Sequence, residues 1–174
     1  MLAKHIKRCG KTYLLRTHPS SDNFFGIKGG EYLFLDGKKA HFAASLFYLV
    51  DVIRSITFYA WRRVDYVIFV RYLMGTAYLP APIHKFAYHF FSRIVPTKGH
   101  LIYLNVTPAE AFRRLVNNRT KMERFESIDE LSKTFYKALD LVSYGRWKII
   151  DGDRSIHEIQ EEILEVTGLK LQPI

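Results

Sequence analysis

The chain has 174 residues, 48% of them hydrophobic, with one cysteine and a formal net charge of +9. That length and apolar content suit one domain spanning residues 1–174, and a single cysteine excludes an internal disulfide framework and fits a reducing, cytoplasmic compartment. The charge implies an anionic partner, for which nucleotide phosphates, nucleic acid and acidic lipid all qualify.

Residues 2–9 read as the last turns of a helix, with Gly10 as its stop. Lys4, His5, Lys7 and Arg8 leave no room for the apolar stretch of a signal peptide. Gly10-Lys11-Thr12 matches the end of a phosphate-binding loop, Gly-x-x-x-x-Gly-Lys-Ser/Thr. Such a loop must follow a strand and open a helix, so that backbone N–H groups at the helix start cradle the phosphates. Here helix-like sequence precedes it, a strand follows it, and His5 holds the position of the first glycine, so it reads as a helix stop. Residues 12–16 form a strand, and residues 17–30, rich in Ser, Asn, Asp, Pro and Gly, a loop long enough to be functional. A short helix over 31–35 and a long one over 39–63 follow. The apolar run 42–50 on the long helix is interrupted by Asp51 and Arg54 and falls short of the roughly 20 residues of a membrane span.

Residues 65–70 are a buried strand that leads straight into Arg71-Tyr72. Beyond it, Thr107-Pro108-Ala109-Glu110, Ser127-Ile128-Asp129-Glu130 and Ser155-Ile156-His157-Glu158 each carry a capping box, a hydroxyl and a glutamate three residues later that satisfy backbone donors reciprocally. The first and third directly follow the apolar runs 100–106 and 147–150. Short strands alternating with helices mean βαβ units and a parallel sheet, whose ligands sit beyond the carboxyl ends of the strands. That rule nominates Arg16, Arg71 with Tyr72, Asn105, and the segment Asp151 to Arg154.

At Arg71 a cation beside a helix start opposes the helix dipole, a conflict that a bound anion resolves. The basic segment from Arg113 and Arg114 through Arg119, Lys121 and Arg124 is either a solvated turn or a cover over a phosphoryl group. Aromatic residues on the long helix, Phe42, Phe47, Tyr48, Phe58 and Tyr59, are core residues by default. His84 and His89 lie five apart, on different helix faces, and no metal site is expected.

In this order the pieces resemble the thymidylate kinase family of P-loop nucleoside-monophosphate kinases, particularly archaeal members, over residues 2–167. Arg16-Thr17-His18-Pro19 resembles the family's Arg-Glu-Pro, whose arginine faces the monophosphate. Leu46-Phe47-Tyr48 resembles the Leu-Phe-x segment whose aromatic stacks on thymine. Val70-Arg71-Tyr72 is similar to Asp-Arg-Tyr/His, where the arginine holds the acceptor phosphate. Glu123-Arg124-Phe125-Glu126 resembles the lid's Glu-Arg-Tyr-Glu, placing a lid over about 117–127. Asp151-Gly152-Asp153-Arg154-Ser155 resembles the loop beside the donor adenine.

The resemblance implies a three-layer α/β sandwich of the P-loop NTPase, nucleoside-monophosphate-kinase type. It also implies ATP and Mg²⁺ as cofactors and transfer of a phosphoryl group to dTMP or a related pyrimidine nucleoside monophosphate. A homodimer follows from the same likeness, with neither nucleic acid nor membrane as partner. Arg16, Phe47, Arg71 and Tyr72 then hold the acceptor. Arg119, Lys121 and Arg124 close over the transferring group, and Asp151, Asp153 and Arg154 flank the donor adenine.

The chain departs from the family in three places. Val70 replaces the acidic residue that positions Mg²⁺, and valine has no oxygen to offer. Asp51 stands where the thymine-reading arginine falls, with Arg54 one turn on as a substitute. The first strand, central in the family's sheet, and its P-loop are missing, so the native product is expected to begin upstream of Met1. As written the chain is expected to lack turnover. A non-catalytic nucleotide-binding relative is the second reading, and a basic nucleic-acid or membrane-surface binder the third.

Overall fold

The computed structural model describes residues 1–35, 38–95, 99–118 and 127–169. Helix α1 (Leu2–Arg8) ends as its sequence predicts. Gly10 has φ +70°, its N–H reaches the Lys7 carbonyl at 3.1 Å, and the Lys11 N–H reaches Ile6 at 3.2 Å. These are the two bonds of a Schellman stop, so Gly10-Lys11-Thr12 is a helix terminator. Thr12 goes on to clip the next two strands together: its N–H and hydroxyl both donate to Asp65 Oδ2 at 2.7 Å, and its Oγ1 accepts from the Asp65 N–H at 3.0 Å. The clip sets the register of β1 (Tyr13–Thr17) on β2 (Tyr66–Val70), which run parallel with Tyr13 opposite Tyr66 and Thr17 opposite Val70.

The stretch 17–30 is not all loop. Helix α2 (Phe24–Tyr32) starts inside it, because the Asn23 side chain accepts from the Phe25 and Gly26 N–H groups. Of the helix expected over 31–35 only residues 31 and 32 are helical, as the end of this one, and the chain leaves it by a turn at 33–34. Its glycines serve packing, not turning: a Cβ on Gly26 would lie 2.0 Å from the Ser20 carbonyl oxygen, so only glycine lets the helix seat on that strand exit. Helix α3 (Lys38–Tyr59) is four residues shorter at its end than predicted, closing before the charged pair Arg62-Arg63. Contrary to the sequence reading, the window Phe42–Tyr59 is long and apolar enough to cross a membrane by composition, with mean hydropathy 1.3. Its central polar residues, Asp51 and Ser55, are fully buried inside this fold.

A 3₁₀ segment (Leu73–Tyr78) follows β2 and delivers the chain to α4 (Ile83–Ile94), which buries Ala87, Tyr88 and Phe91 at helical spacing. Strand β3 (Leu101–Asn105) pairs in parallel with β4 (Trp147–Asp151), joined through α5 (Pro108–Asn118) and α6 (Ile128–Val142), and α7 (Ile156–Val166) follows. Of the three predicted capping boxes only Ser155 with Glu158 is reciprocal. The glutamates of the other two turn outward instead, Glu110 to Arg113 and Arg114, and Glu130 to Lys133. At Thr107 the N–H that a return bond would use donates to Asp153 at 2.9 Å, and both glutamates gain a charge-assisted bond to a nearby cation.

The core lies among α3, the 3₁₀ segment, α4 and α6, where Val52, Ile56, Leu73, Tyr88, Phe91 and Leu141 pack together. Its main polar tie is the Trp147 indole N–H on the Tyr88 hydroxyl at 2.7 Å. Among the described residues the four strands form two separate parallel pairs, β1 with β2 and β3 with β4. Each strand also leaves one large apolar side chain at least 40% exposed: Leu15, Val70, Leu104 and Ile149.

Candidate functional site

The residues nominated at the β1 exit converge on one another. Asp51, in the middle of α3, is fully buried. Its Oδ2 accepts from the Ser20 N–H at 2.7 Å, and its Oδ1 from the Ser20 hydroxyl at 2.6 Å and the Asn23 amide at 2.7 Å. The residue in the position of a base-reading arginine therefore fastens the loop after β1. Arg16 makes a two-pronged pair with Asp22, at 2.8 and 3.0 Å, and a third bond to the Ser55 hydroxyl at 3.3 Å. Its guanidinium lies 4.2 Å from the centre of the Tyr59 ring. Hydrogen bonding to Arg16 holds the Asp22 carboxyl far below the usual carboxylate range. Arg54 faces the same carboxylate at 3.7 Å. Arg16, Asp51 and Arg54 are thus brought together as one internal polar cluster.

One residue along α3, the aromatic pair divides. Phe47 stacks on Tyr32 at 5.5 Å and meets Phe24 edge-on at 6.1 Å, which places it in an aromatic cluster with α2. Tyr48 faces the other way. Its hydroxyl donates to the Arg71 carbonyl. A Cβ on Gly75 would lie 2.1 Å from the Tyr48 ring, so only glycine there lets the ring lie across the chain to reach Arg71.

Arg71 itself has φ +55°, a left-handed conformation that costs an L-residue roughly 1–2 kcal/mol. Bonds on both sides hold it there. Beyond the Tyr48 hydroxyl, the Val70 carbonyl accepts from the His18 N–H at 3.3 Å and lies 3.2 Å from His18 Nδ1. A carbonyl only accepts, so the His18 ring proton sits on Nδ1, and Nε2 is buried without a partner among the described residues. Burial keeps that imidazole neutral, its pKa below the ordinary value. Tyr72 turns to the core side, stacked on Phe69 at 5.0 Å, and burial lifts its phenol above the usual range.

Arg71 opens onto a cavity of about 460 Å³. Ala44, Ser45 and Tyr48 form one wall, closed by Pro19, Gly29 and Leu33. Opposite stand Val106, Ala111, Arg114, Leu115 and Leu131, with Gly75 and Tyr78 beside Arg71. Among the described residues no ion pair involves Arg71, whereas Arg114 is fixed by Glu110 at 2.6 Å and by the Arg154 carbonyl at 3.3 Å. Of the four acceptor residues nominated from sequence, only Arg71 lines this cavity. Tyr48, Gly75 and Arg114 line it without having been nominated. The signals for them were weak: an aromatic next to a better motif match, a glycine in a tight turn, and an arginine read with the basic segment.

The loop after β4 is built as a tight turn. Asp153 accepts from the Thr107 N–H at 2.9 Å, and Asp151 from the Asp153 N–H at 3.0 Å. The Gly152 N–H donates to the Asn105 carbonyl at 2.9 Å, and Arg154 pairs with Glu162. Arg114 therefore links this turn to the cavity wall. Arg119, Lys121 and Arg124 lie outside the described residues. Among the described residues no cluster of His, Cys, Asp or Glu could hold a metal ion.

The sequence matches the family model described as thymidylate kinase over residues 1–163. No curated relative matches the chain. Among solved structures, the thymidylate kinase of Candida albicans, described for its broad substrate specificity and a novel structural element, superposes with a TM-score of 0.71 at 16% identity. The match covers 94% of this chain and 83% of that one. At that identity the likeness speaks for the α/β fold with parallel strands. With the family model spanning nearly the whole sequence, the chain belongs to the thymidylate kinase family.

Proposed function

We propose that this chain supplies the acceptor half of a thymidylate-kinase-like phosphotransferase, which moves the γ-phosphoryl group of ATP onto the phosphate of a monoester. The acceptor the family implies is dTMP or a related pyrimidine nucleoside monophosphate. The observation that carries the reading is Arg71: a left-handed arginine at the carboxyl end of a parallel strand, braced through its carbonyl by Tyr48 and opening on a cavity. Its guanidinium holds the acceptor phosphate, across the cavity from the Arg114–Glu110 ion pair. By resemblance, Arg119, Lys121 and Arg124 close over the transferring group, and Asp151, Asp153 and Arg154 flank the donor base.

The described residues do not fit the family's Mg²⁺-ATP. Gly10-Lys11-Thr12 is committed to a helix stop and a strand clip, and Val70 brings no oxygen to a metal. We propose that a fifth parallel strand with a P-loop fills the space between β2 and β3 and completes a three-layer sandwich. The separate strand pairs and their exposed apolar side chains support this. Exposed Phe42, Leu46 and Ile53, which share one side of α3, offer an apolar face to a homodimer. Calorimetry should show a phosphate monoester binding this chain and Arg71→Ala weakening it about tenfold, without ADP production from ATP and dTMP. A chain extended through an upstream P-loop should produce ADP. Turnover by the 174-residue chain at an ordinary kinase rate would defeat this division of labour. A non-catalytic binding relative, favoured by Val70, is the second reading, and it stands if the extended chain binds the monoester but not ATP.

A further inference from the structure

The direction in which Arg71 leaves β2 is fixed by two peptide planes. A peptide unit is rigid, so the freedom at a residue is φ and ψ, the rotations of its Cα against the unit on either side. Pinning both units therefore pins the Cα–Cβ bond between them. At Arg71 both are pinned. The unit before it carries the Val70 carbonyl, which accepts twice from His18, from the backbone N–H at 3.3 Å and from the ring Nδ1–H at 3.2 Å. The unit after it carries the Arg71 carbonyl, which accepts from the Tyr48 hydroxyl. With φ +55°, Arg71 sits where an unpinned L-residue rarely stays. Release of either unit lets it return to negative φ, which swings the side chain off its present line.

The two braces also support each other. The His18 ring is fully buried, stacked on Phe69 of β2 with centroids 6.2 Å apart, and it meets the Tyr48 ring edge-on at 6.4 Å. It thus touches both the strand that carries Arg71 and the tyrosine that holds Arg71 from the other side. The charges around it, Arg16 on β1, Asp22 in the following loop and Asp51 on α3, are engaged with Ser20, Asn23 and one another. Among the described residues the ring makes one hydrogen bond, and it goes to Val70. From this we infer that His18 and Tyr48 are positioning residues of the acceptor site. They set, through the carbonyls of Val70 and Arg71, the line along which the guanidinium reaches the acceptor phosphate. The inference rests on the proposal that Arg71 holds that phosphate.

The test is calorimetric titration with dTMP of variants first shown by thermal melts to be folded at the temperature used. Asparagine carries its amide N–H as many bonds from Cα as Nδ1 lies, and glutamine carries it one bond further out. His18→Asn should therefore bind dTMP within about twofold of the parent chain, while His18→Gln and His18→Phe should weaken binding at least about threefold. Neither loss should exceed the roughly tenfold expected of Arg71→Ala, and in the Arg71→Ala background His18→Phe should change nothing further, because it acts through that residue. Tyr48→Phe removes the other brace's hydroxyl and leaves its ring. It should show the same loss and the same silence without the guanidinium, and it carries the test if the His18 variants do not fold. His18→Gln binding as tightly as His18→Asn, or losses that persist undiminished in the Arg71→Ala background, overturn the positioning role and leave the Arg71 reading standing. No binding of dTMP, or an Arg71→Ala chain that binds it as the parent does, overturns the Arg71 reading and this inference together.

Discussion

Asp51→Ala separates a structural carboxylate from a base-reading one. In the folded chain the Asp51 carboxylate receives three hydrogen bonds from Ser20 and Asn23 at 2.6 to 2.7 Å in a fully buried position. Removing it does not orphan all three donors. The Ser20 hydroxyl keeps Asp22 at 2.9 Å, and the Asn23 amide keeps the Ser20 oxygen at 2.6 Å. The buried Ser20 N–H keeps nothing, which costs about 1–3 kcal/mol. Loss of the two other charge-assisted bonds adds roughly 0.5–1 kcal/mol each, for a total of about 2–5 kcal/mol. Against a net stability of roughly 5–15 kcal/mol that is a large share. Asp51→Asn, which keeps the shape and one acceptor, should lose less. Urea unfolding followed by the fluorescence of Trp61 and Trp147 measures both. A loss below about 0.5 kcal/mol for Asp51→Ala, combined with weaker monoester binding, would refute the structural role and return Asp51 to the ligand.

Arg71→Gly relieves the left-handed backbone while deleting the cation. It should be more stable than Arg71→Ala by about 1 kcal/mol, yet equally poor in monoester binding, as thermal melts and calorimetry will show. Gly75→Ala drives a methyl into the Tyr48 ring and should cost about 1–3 kcal/mol, with weaker monoester binding because the brace on Arg71 shifts. The Asp22 carboxyl is depressed in the folded state, so its contribution is fully present above roughly pH 4 and is lost as pH falls through its lower folded value. Asp22→Asn should remove that part of the acid limb of a stability-against-pH curve. His18 is depressed by burial, so below roughly pH 6.5 the unfolded chain takes up a proton that the folded chain refuses. Stability should therefore fall by up to about 1.4 kcal/mol per pH unit until the folded value is reached, and His18→Phe should flatten that slope in urea titrations at stepped pH.

What the sequence made legible is what local chemistry decides. The Gly10 stop, the strand cores, the N-caps at Ser127 and Ser155 and the turn after β4 depend on neighbours a few residues away. The start of α2 was misread because Asn23 and the glycines signal a loop by composition. Gly26 is there for contact with Ser20, a reason visible only once the helix is seated. That Tyr48 and not Phe47 lines the cavity has a related cause. Neighbouring residues on a helix point about 100° apart, and which one faces a cavity is set by how the helix is rotated against its partners. Arg16 was well placed by the strand-end rule, but Asp22, six residues on, takes it. Spacing along the chain cannot say which acid a cation will meet.

These pairings set Arg71 apart from the other arginines near the strand exits. Asp22 gathers Arg16 and Arg54 at the exit of β1, and Glu110 fixes Arg114 across the cavity. Arg16 and Arg114 are hydrogen-bonded to those carboxylates, while Arg54 stands 3.7 Å from Asp22. Arg71 has no ion pair among the described residues and is held in a conformation that glycine would adopt without strain. The roughly 1–2 kcal/mol that this conformation costs is offset inside the fold by the Tyr48 hydroxyl on the Arg71 carbonyl and by His18 on the Val70 carbonyl. The strained backbone at Arg71 is therefore a device that aims its side chain at the cavity, and Tyr48 and His18 are the residues whose loss should let that aim drift.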